Sequence, residues 1–89
     1  MTRIAFSLAG IKTLPISKPA LYRILTQTGN YNYVGVAKRG RIQQRLREHY
    51  GRIPGTHVKV EFFSSIKDAR MKEIRIINKY KPYYNTQHT

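Results

Sequence analysis

The fold is decided by residues 20–37, ALYRILTQTGNYNYVGVA, which predict two strands and the turn that joins them. Residues 20–26 carry the β-branched, aromatic and aliphatic side chains that are typical of a strand. Gly29 and Asn30 tolerate a positive φ where the chain must reverse, so residues 31–37 are predicted to return as the second strand of a hairpin. Tyr22 and Tyr33 lie on these two strands, where tyrosine is common simply because aromatic rings suit a half-buried sheet.

Beyond Gly40 the spacing becomes helical from about residue 41 to residue 50. Ile42 and Leu46 are four residues apart on one side, while Arg45 and His49 are four apart on another, so the helix has one face to bury and one basic face. Residues 57–63 alternate as a third strand, after a loop that contains two glycines and a proline. The last helix is predicted over residues 66–80, with Ser64 or Ser65 as its N-cap and Lys81-Pro82 as its end.

Composition limits both the size and the partners of the protein. Its 89 residues make one small domain, and 17 Lys and Arg against 4 Asp and Glu give a formal charge of +13. Such a charge attracts a polyanion, and nucleic acid is the default partner. A membrane surface is the rival, but the sequence shows no lipidation signal or polybasic tail. Cysteine is absent, which excludes disulfides and thiolate zinc sites, and the mildly apolar residues 4–11 are too short to cross a bilayer. We therefore expect an intracellular, soluble protein.

Glu73 is the most informative single residue, because it interrupts the apolar stripe of the last helix in a chain with three other acidic residues. Burying a carboxylate costs several kcal/mol unless a cation or several donors compensate it. A structural ion pair with Arg70 or Arg45 is one explanation, and a divalent metal is the other. Because so few carboxylates are available, the chain could scarcely assemble a two-metal site, and one Mg²⁺ or Mn²⁺ ion held mostly by water and phosphate oxygens is what a lone glutamate permits.

Arg45 and His49 suit phosphoryl chemistry, because arginine offers a fork of donors to a phosphate and histidine relays protons near neutral pH. The alternative is a solvated basic helix that touches DNA phosphates. This alternative is favoured by the basic residues that surround the pair, and the predicted nucleic-acid contacts are Lys38, Arg39, Arg41, Arg47 and Arg52. Asn85, after Pro82, is a candidate for holding a phosphate or for ordering the terminal loop as an Asx turn.

The ordered set of motifs resembles the GIY-YIG endonuclease superfamily, which includes homing endonucleases and the incision subunit of bacterial nucleotide-excision repair. Ala20-Leu21-Tyr22 stands at the first tripeptide and Tyr33-Val34-Gly35 at the second, and both precede the helix with Arg45 and His49. The segment from Glu73 to Asn85 resembles the closing part of the family. The resemblance covers residues 15–87. We expect an N-terminal arm over residues 1–18 and a nuclease domain over residues 19–89.

This resemblance implies a small α+β domain with a three-stranded antiparallel sheet flanked by helices, which cleaves DNA with one divalent metal ion. Glu73 would be the metal ligand, Arg45 would stabilise the scissile phosphate, and Tyr22 would position or activate the attacking water with the help of His49. Tyr33 would complete the site, and Asn85 would support phosphate binding or the fold around it.

Two departures from the family pattern stand out. Ala20 replaces a glycine, which is harmless if the backbone there is ordinary β. Val36 occupies a place where some members carry lysine, and Lys38 is the residue that would substitute.

Two functions follow from the sequence. The first is a metal-dependent DNA endonuclease of low sequence specificity, with a preference for branched or nicked DNA or with recruitment by a protein partner or a second copy. The second is a basic nucleic-acid-binding module whose nuclease site is silent or depends on a partner chain.

Overall fold

A computed structural model describes residues 1–87 of the chain, so the last two residues of the predicted domain lie outside it. The structure contains four strands and four helices in mixed order within this range. In chain order they are β1 (Thr2–Ala5), α1 (Leu8–Lys12), β2 (Ala20–Leu25), β3 (Tyr31–Ala37), α2 (Ile42–His49), β4 (His57–Phe62), α3 (Ile66–Tyr80) and α4 (Tyr83–Gln87).

The strands form one antiparallel sheet in the order β1-β4-β2-β3, which confirms the α+β class. The sheet has one strand more than the predicted three, because the first residues of the chain pair with β4 in the register Thr2 opposite Val60. A four-residue strand carries too little propensity signal of its own to be identified, and its partner strand supplies the hydrogen bonds that hold it. Residues 1–18 therefore contribute both β1 and α1 to this fold.

Apolar side chains cover both faces of the sheet, because successive residues of a strand point to opposite sides. The larger cluster lies under α1 and α2 and includes Tyr22 and Ile24 of β2 with the predicted helix residues Ile42 and Leu46, all fully buried. The smaller cluster joins Leu21 of β2 and its neighbours on β3 to α3. The central strand β2 is buried along its whole length, so it fixes the side chains that it carries.

Local signals in the sequence set the ends of the elements closely. Gly29 has a φ of +92° in the hairpin turn, and Ser65 caps α3 by accepting a hydrogen bond from the Asp68 amide. Lys81 stops α3 in the left-handed conformation before Pro82. Helix α4 was not anticipated from the sequence, where the segment after Pro82 is expected to be a loop. None of the helices in residues 1–87 combines the length and the apolar character needed to cross a membrane.

Candidate active site

The centre of the candidate site is a hydrogen bond between two predicted residues from different elements. Tyr22 projects from β2 toward α2, where its hydroxyl lies 2.9 Å from Nε2 of His49. Tyr22 is fully buried. Burial, and after it the neighbouring Tyr33, raises the pKa of Tyr22 far above its ordinary value, and Arg45 opposes this only in part. A neutral phenol carries its proton, so the geometry suits donation from the Tyr22 O–H to Nε2 of a neutral His49.

Tyr33 lies beside this pair, on the same face of the sheet. Its ring centroid is 4.7 Å from that of His49 and 6.1 Å from that of Tyr22. Tyr33 is half-buried, and burial raises its pKa, while Arg45 and hydrogen bonding with Tyr22 act in the opposite direction. The three rings therefore form one polar cluster inside an apolar face, with Tyr33 toward solvent and Tyr22 at the bottom.

A glycine makes this cluster possible. Gly35 stands directly opposite Tyr22 in the register of β2 and β3. A Cβ at position 35 would lie 2.5 Å from the Tyr22 hydroxyl oxygen and 2.9 Å from a ring carbon of Tyr33. The site therefore uses the missing side chain of Gly35 as space for the Tyr22 hydroxyl.

Arg45 joins the tyrosine cluster to a basic pocket. The pocket has a volume of about 250 Å³ at the end of β3 and is lined by Val36, Ala37, Lys38, Arg41, Arg45 and Arg70. Arg45 forms one long salt bridge, of 3.8 Å, with exposed Glu48, and its Nε is buried with no hydrogen-bond partner in the described part of the chain. Four cationic side chains around a pocket of this size can receive a phosphate group.

Glu73, on α3, is half-buried and close enough to influence both tyrosines electrostatically. Burial raises the pKa of its carboxyl above the ordinary value, although the charges of Arg70 and Arg45 oppose the change. The ion pair with Arg70 or Arg45 that the sequence left open as an alternative is not formed. Among the residues that the structure describes, the salt bridges join Arg23 to Glu61, Arg45 to Glu48 and Lys72 to Glu61, and none includes Glu73.

Asn85 is the sixth predicted site residue, and the structure uses it differently from the other five. Its side chain is buried, accepts a hydrogen bond from the Val34 amide at 2.9 Å and donates one to the Val34 carbonyl at 2.8 Å. This geometry corresponds to support of the fold, which was one of the two roles expected for Asn85. Through these two hydrogen bonds Asn85 holds α4 against the outer edge of β3, next to Tyr33.

The predicted nucleic-acid contacts are all exposed, but the structure brings only two of them to the site. Lys38 and Arg41 line the basic pocket. Arg52 lines a different depression, with Phe6 and Tyr50. Lys38 and Val36 line the same pocket, and the substitution of Lys38 for a lysine at position 36 stays a prediction. Ala20 lies in β2 without a positive φ, so alanine is tolerated there as expected.

Sequence reasoning did not include two residues among the functional ones. Arg70 lies three residues before Glu73, a spacing that places both side chains on one side of α3, and this could have assigned it to the pocket. Gly35 belongs to the second tripeptide, and the sequence alone gives it no role. Its signal is a glycine inside a strand, which often marks a close approach of another group.

The residues present can hold at most a lightly ligated metal ion. Within residues 1–87 no three His, Cys, Asp or Glu side chains gather at one place. A half-buried carboxylate that forms no salt bridge, beside a pocket for phosphate, nevertheless has the donor chemistry that Mg²⁺ accepts when water and phosphate complete its shell. The site therefore fits one hard divalent cation and does not fit a cluster of metals.

The structure is consistent with a GIY-YIG-like fold. It has four antiparallel strands with flanking helices, and two strand tyrosines face an arginine and a histidine. Two curated relatives, from Lactobacillus johnsonii and Lactobacillus gasseri, are both named UvrABC system protein C. Each is 34% identical to this chain in an alignment of 87 positions that includes 86% of the chain. The chain spans 14% of the length of each of these relatives. A comparison with protein-family models found no match.

Proposed function

We propose that this chain is a metal-dependent endonuclease that hydrolyses DNA phosphodiester bonds with a single divalent ion. The observation that carries the proposal is the Glu73 carboxylate, half-buried and without a salt bridge among the described residues, next to the Tyr22–His49 hydrogen bond. Partial burial of a carboxylate that forms no salt bridge lowers stability, and a cation held for catalysis accounts for its presence. The similarity to proteins named UvrABC system protein C supports an incision nuclease.

In this proposal the basic pocket binds the scissile phosphate. Arg45 donates to the phosphate oxygens whose negative charge grows in the transition state, and Lys38, Arg41 and Arg70 hold the strand in place. A divalent ion at Glu73 would neutralise phosphate charge and make nearby water more acidic. The basic pocket suits a phosphodiester, because four cationic side chains line it.

The proton of the attacking water would pass to the Tyr22–His49 pair. Tyr22 receives this proton while it gives its own to Nε2 of His49, so no free tyrosinate is formed. This relay matters because the pKa of Tyr22 is raised by burial, which excludes a stable tyrosinate near neutral pH. Since Tyr22 is covered in this structure, Tyr33 or His49 must shift when DNA binds to let the water reach it.

The test compares wild-type protein with the Glu73→Gln and Asp68→Asn variants on supercoiled plasmid, in Mg²⁺ or Mn²⁺ and with a chelator. Asp68→Asn is the matched control, because it removes one carboxylate from the same helix at an exposed position. We expect metal-dependent nicking by the wild type and Asp68→Asn and none by Glu73→Gln. DNA affinity of Glu73→Gln should be equal or higher, because a negative charge near the phosphates is lost.

The second candidate function is a DNA-binding module without cleavage of its own, and the basic pocket is the observation that favours it. Under this alternative the wild type retards DNA with a strong dependence on salt but yields no products with any divalent ion. Nicking by Glu73→Gln at the wild-type rate would instead reject the role given to Glu73.

A further inference from the structure

We propose that a second groove, on the far side of α3 from the active site, binds single-stranded nucleic acid. The groove is open, has a volume of about 490 Å³ and is lined by residues of β2, β3 and α3. Its polar and aromatic lining consists of Arg23, Tyr31, Lys72, Arg75, Lys79 and Tyr80. Four of these six side chains are cationic, and the other two are tyrosines.

The geometry of α3 separates this groove from the active site. At 100° per residue, positions 72, 75 and 79 share one side of the helix, whereas Arg70 and Glu73 lie on the side toward the basic pocket. Arg23 follows Tyr22 in β2, so the two side chains point to opposite faces of the sheet. The groove is therefore a separate surface, and it does not depend on the proposed cleavage.

The ion pairs within the groove leave two cations for an external anion. Glu61 binds Lys72 at 2.9 Å and Arg23 at 3.3 Å, so these two charges are partly offset. Arg75 and Lys79 are exposed, and neither forms a salt bridge within residues 1–87. Seven residues of helix span about 10 Å from Lys72 to Lys79, which corresponds to about three nucleotides at the 3.4 Å spacing of a stacked strand.

A row of like charges continues from the groove across the sheet. Lys59 of β4 stands directly opposite Arg23 of β2 on one side and opposite Arg3 of β1 on the other. Facing cations on neighbouring strands destabilise a sheet. Burial, and after it the charges of Arg3 and Lys59, lowers the pKa of nearby His57. Arg23 is buried and its charge is partly offset by Glu61. A polyanion that extends beyond the groove would therefore meet Arg3 and Lys59 and relieve the repulsion between them.

The tyrosines distinguish a nucleic-acid strand from an acidic protein as the occupant. Tyr31 and Tyr80 have ring centroids 4.5 Å apart, and Tyr80 is 51% exposed. Nζ of Lys79 lies 5.3 Å from the Tyr80 centroid. Exposed rings interleaved with cations are how proteins bind single strands, since a base stacks on the ring while phosphates meet the charges. Paired bases in a duplex already stack on one another and cannot use Tyr80 in this way.

The electrostatic test measures binding of fluorescent 15-nucleotide dT and U oligomers by anisotropy, in a chelator so that cleavage plays no part. The double variant Arg75→Ala/Lys79→Ala is compared with Lys12→Ala/Lys67→Ala, which removes the same charge from exposed sites outside the groove. We expect the first variant to lower the slope of log K against log salt by about 1.4, at about 0.7 per phosphate contact. Equal loss of affinity in both double variants would overturn the proposal. The affinities for the dT and U oligomers show whether the groove prefers DNA or RNA.

The stacking test uses an oligomer of the same length made of abasic sites, which keeps the phosphates but lacks the bases. Tyr80→Leu should weaken dT binding at least about fivefold and leave the abasic oligomer unaffected. Tyr80→Phe should bind like the wild type because the ring remains. Tyr83→Ala removes a tyrosine outside the groove that is 61% exposed, against 51% for Tyr80, and should leave the affinity for both oligomers unchanged. If Tyr80→Leu weakens both oligomers equally, or neither of them, the ring does not bind a base and the proposal fails.

Discussion

Replacing Gly35 with alanine would push the Tyr22 hydroxyl out of its place. The new Cβ would lie 2.5 Å from the hydroxyl oxygen and 2.6 Å from the carbon that carries it. Ordinary van der Waals contact begins near 3.4 Å, so the hydroxyl must move by about 0.9 Å. Tyr22 is fully buried and cannot turn away into solvent. The movement must therefore lengthen the 2.9 Å hydrogen bond to His49 or displace the Tyr33 ring.

Two effects of different size follow from this displacement. Adding one carbon to a packed core costs about 1–3 kcal/mol of unfolding free energy. A misplacement of about 1 Å in a catalytic group costs about 100-fold in rate. We therefore expect Gly35→Ala to fold with a lower urea midpoint and to nick supercoiled plasmid about 100-fold more slowly than the wild type.

The assay is single-turnover nicking in Mg²⁺, measured at a temperature where every variant is folded by circular dichroism. Ile11→Val serves as the matched control, because Ile11 is buried in the same core on α1, a helix that carries no residue of the candidate site, and this change costs about 0.5–1.5 kcal/mol. The control should nick at the wild-type rate despite its lower stability. Wild-type nicking by Gly35→Ala would refute the reasoning, since it would mean that the position of the Tyr22 hydroxyl is unimportant.

Two further predictions concern stability. Asn85→Ala leaves the buried amide and carbonyl of Val34 without partners and should lower the urea unfolding free energy by about 2–4 kcal/mol; a loss under 0.5 kcal/mol would show that α4 does not hold β3. Burial raises the pKa of Glu73 in the folded state, so ionisation of this carboxyl lowers the free energy of unfolding as pH rises. Below the pKa of the unfolded chain, about 4.3, the carboxyl is protonated in both states and this loss is absent. Glu73→Gln should therefore raise the thermal midpoint at pH 7 in a chelator, and the gain should vanish near pH 4. A constant difference across that range would contradict the electrostatic cause.

The hairpin and helix α3 could be predicted from local signals alone. Gly29 marks the turn because the backbone needs a positive φ there, and Ser65 and Pro82 bound α3 because each changes which backbone groups can pair. The strand β1 could not be predicted in this way. These four residues gain their structure from pairing with β4, and the paired residues are 52 (Ala5–His57) to 58 (Thr2–Val60) positions apart along the chain. Such long-range pairing leaves little trace in composition.

The candidate site shows the same division between local and tertiary information. Arg45 and His49 share a helix face because of their spacing, so their proximity was predictable. Glu73 forms no salt bridge within the described residues, although Arg70 and Arg45 influence its pKa. This result depends on how α3 packs against the sheet. Likewise, the full burial of Tyr22 and its contact with Gly35 follow from the register of two strands. Residue types therefore predict the chemistry, while packing decides which group meets solvent.

The edge of β3 connects the stability of this small domain to the geometry of its site. β3 is an outer strand of the sheet, and it carries both Tyr33 and Gly35. An outer strand presents unpaired amides and carbonyls and can slip in register unless something covers it. Asn85 pairs with both backbone groups of Val34, as a neighbouring strand would. Because Val34 lies between Tyr33 and Gly35, the Asn85 side chain fixes the register of β3 at this point. A slip of one residue would turn both Tyr33 and Gly35 to the face of the sheet away from Tyr22.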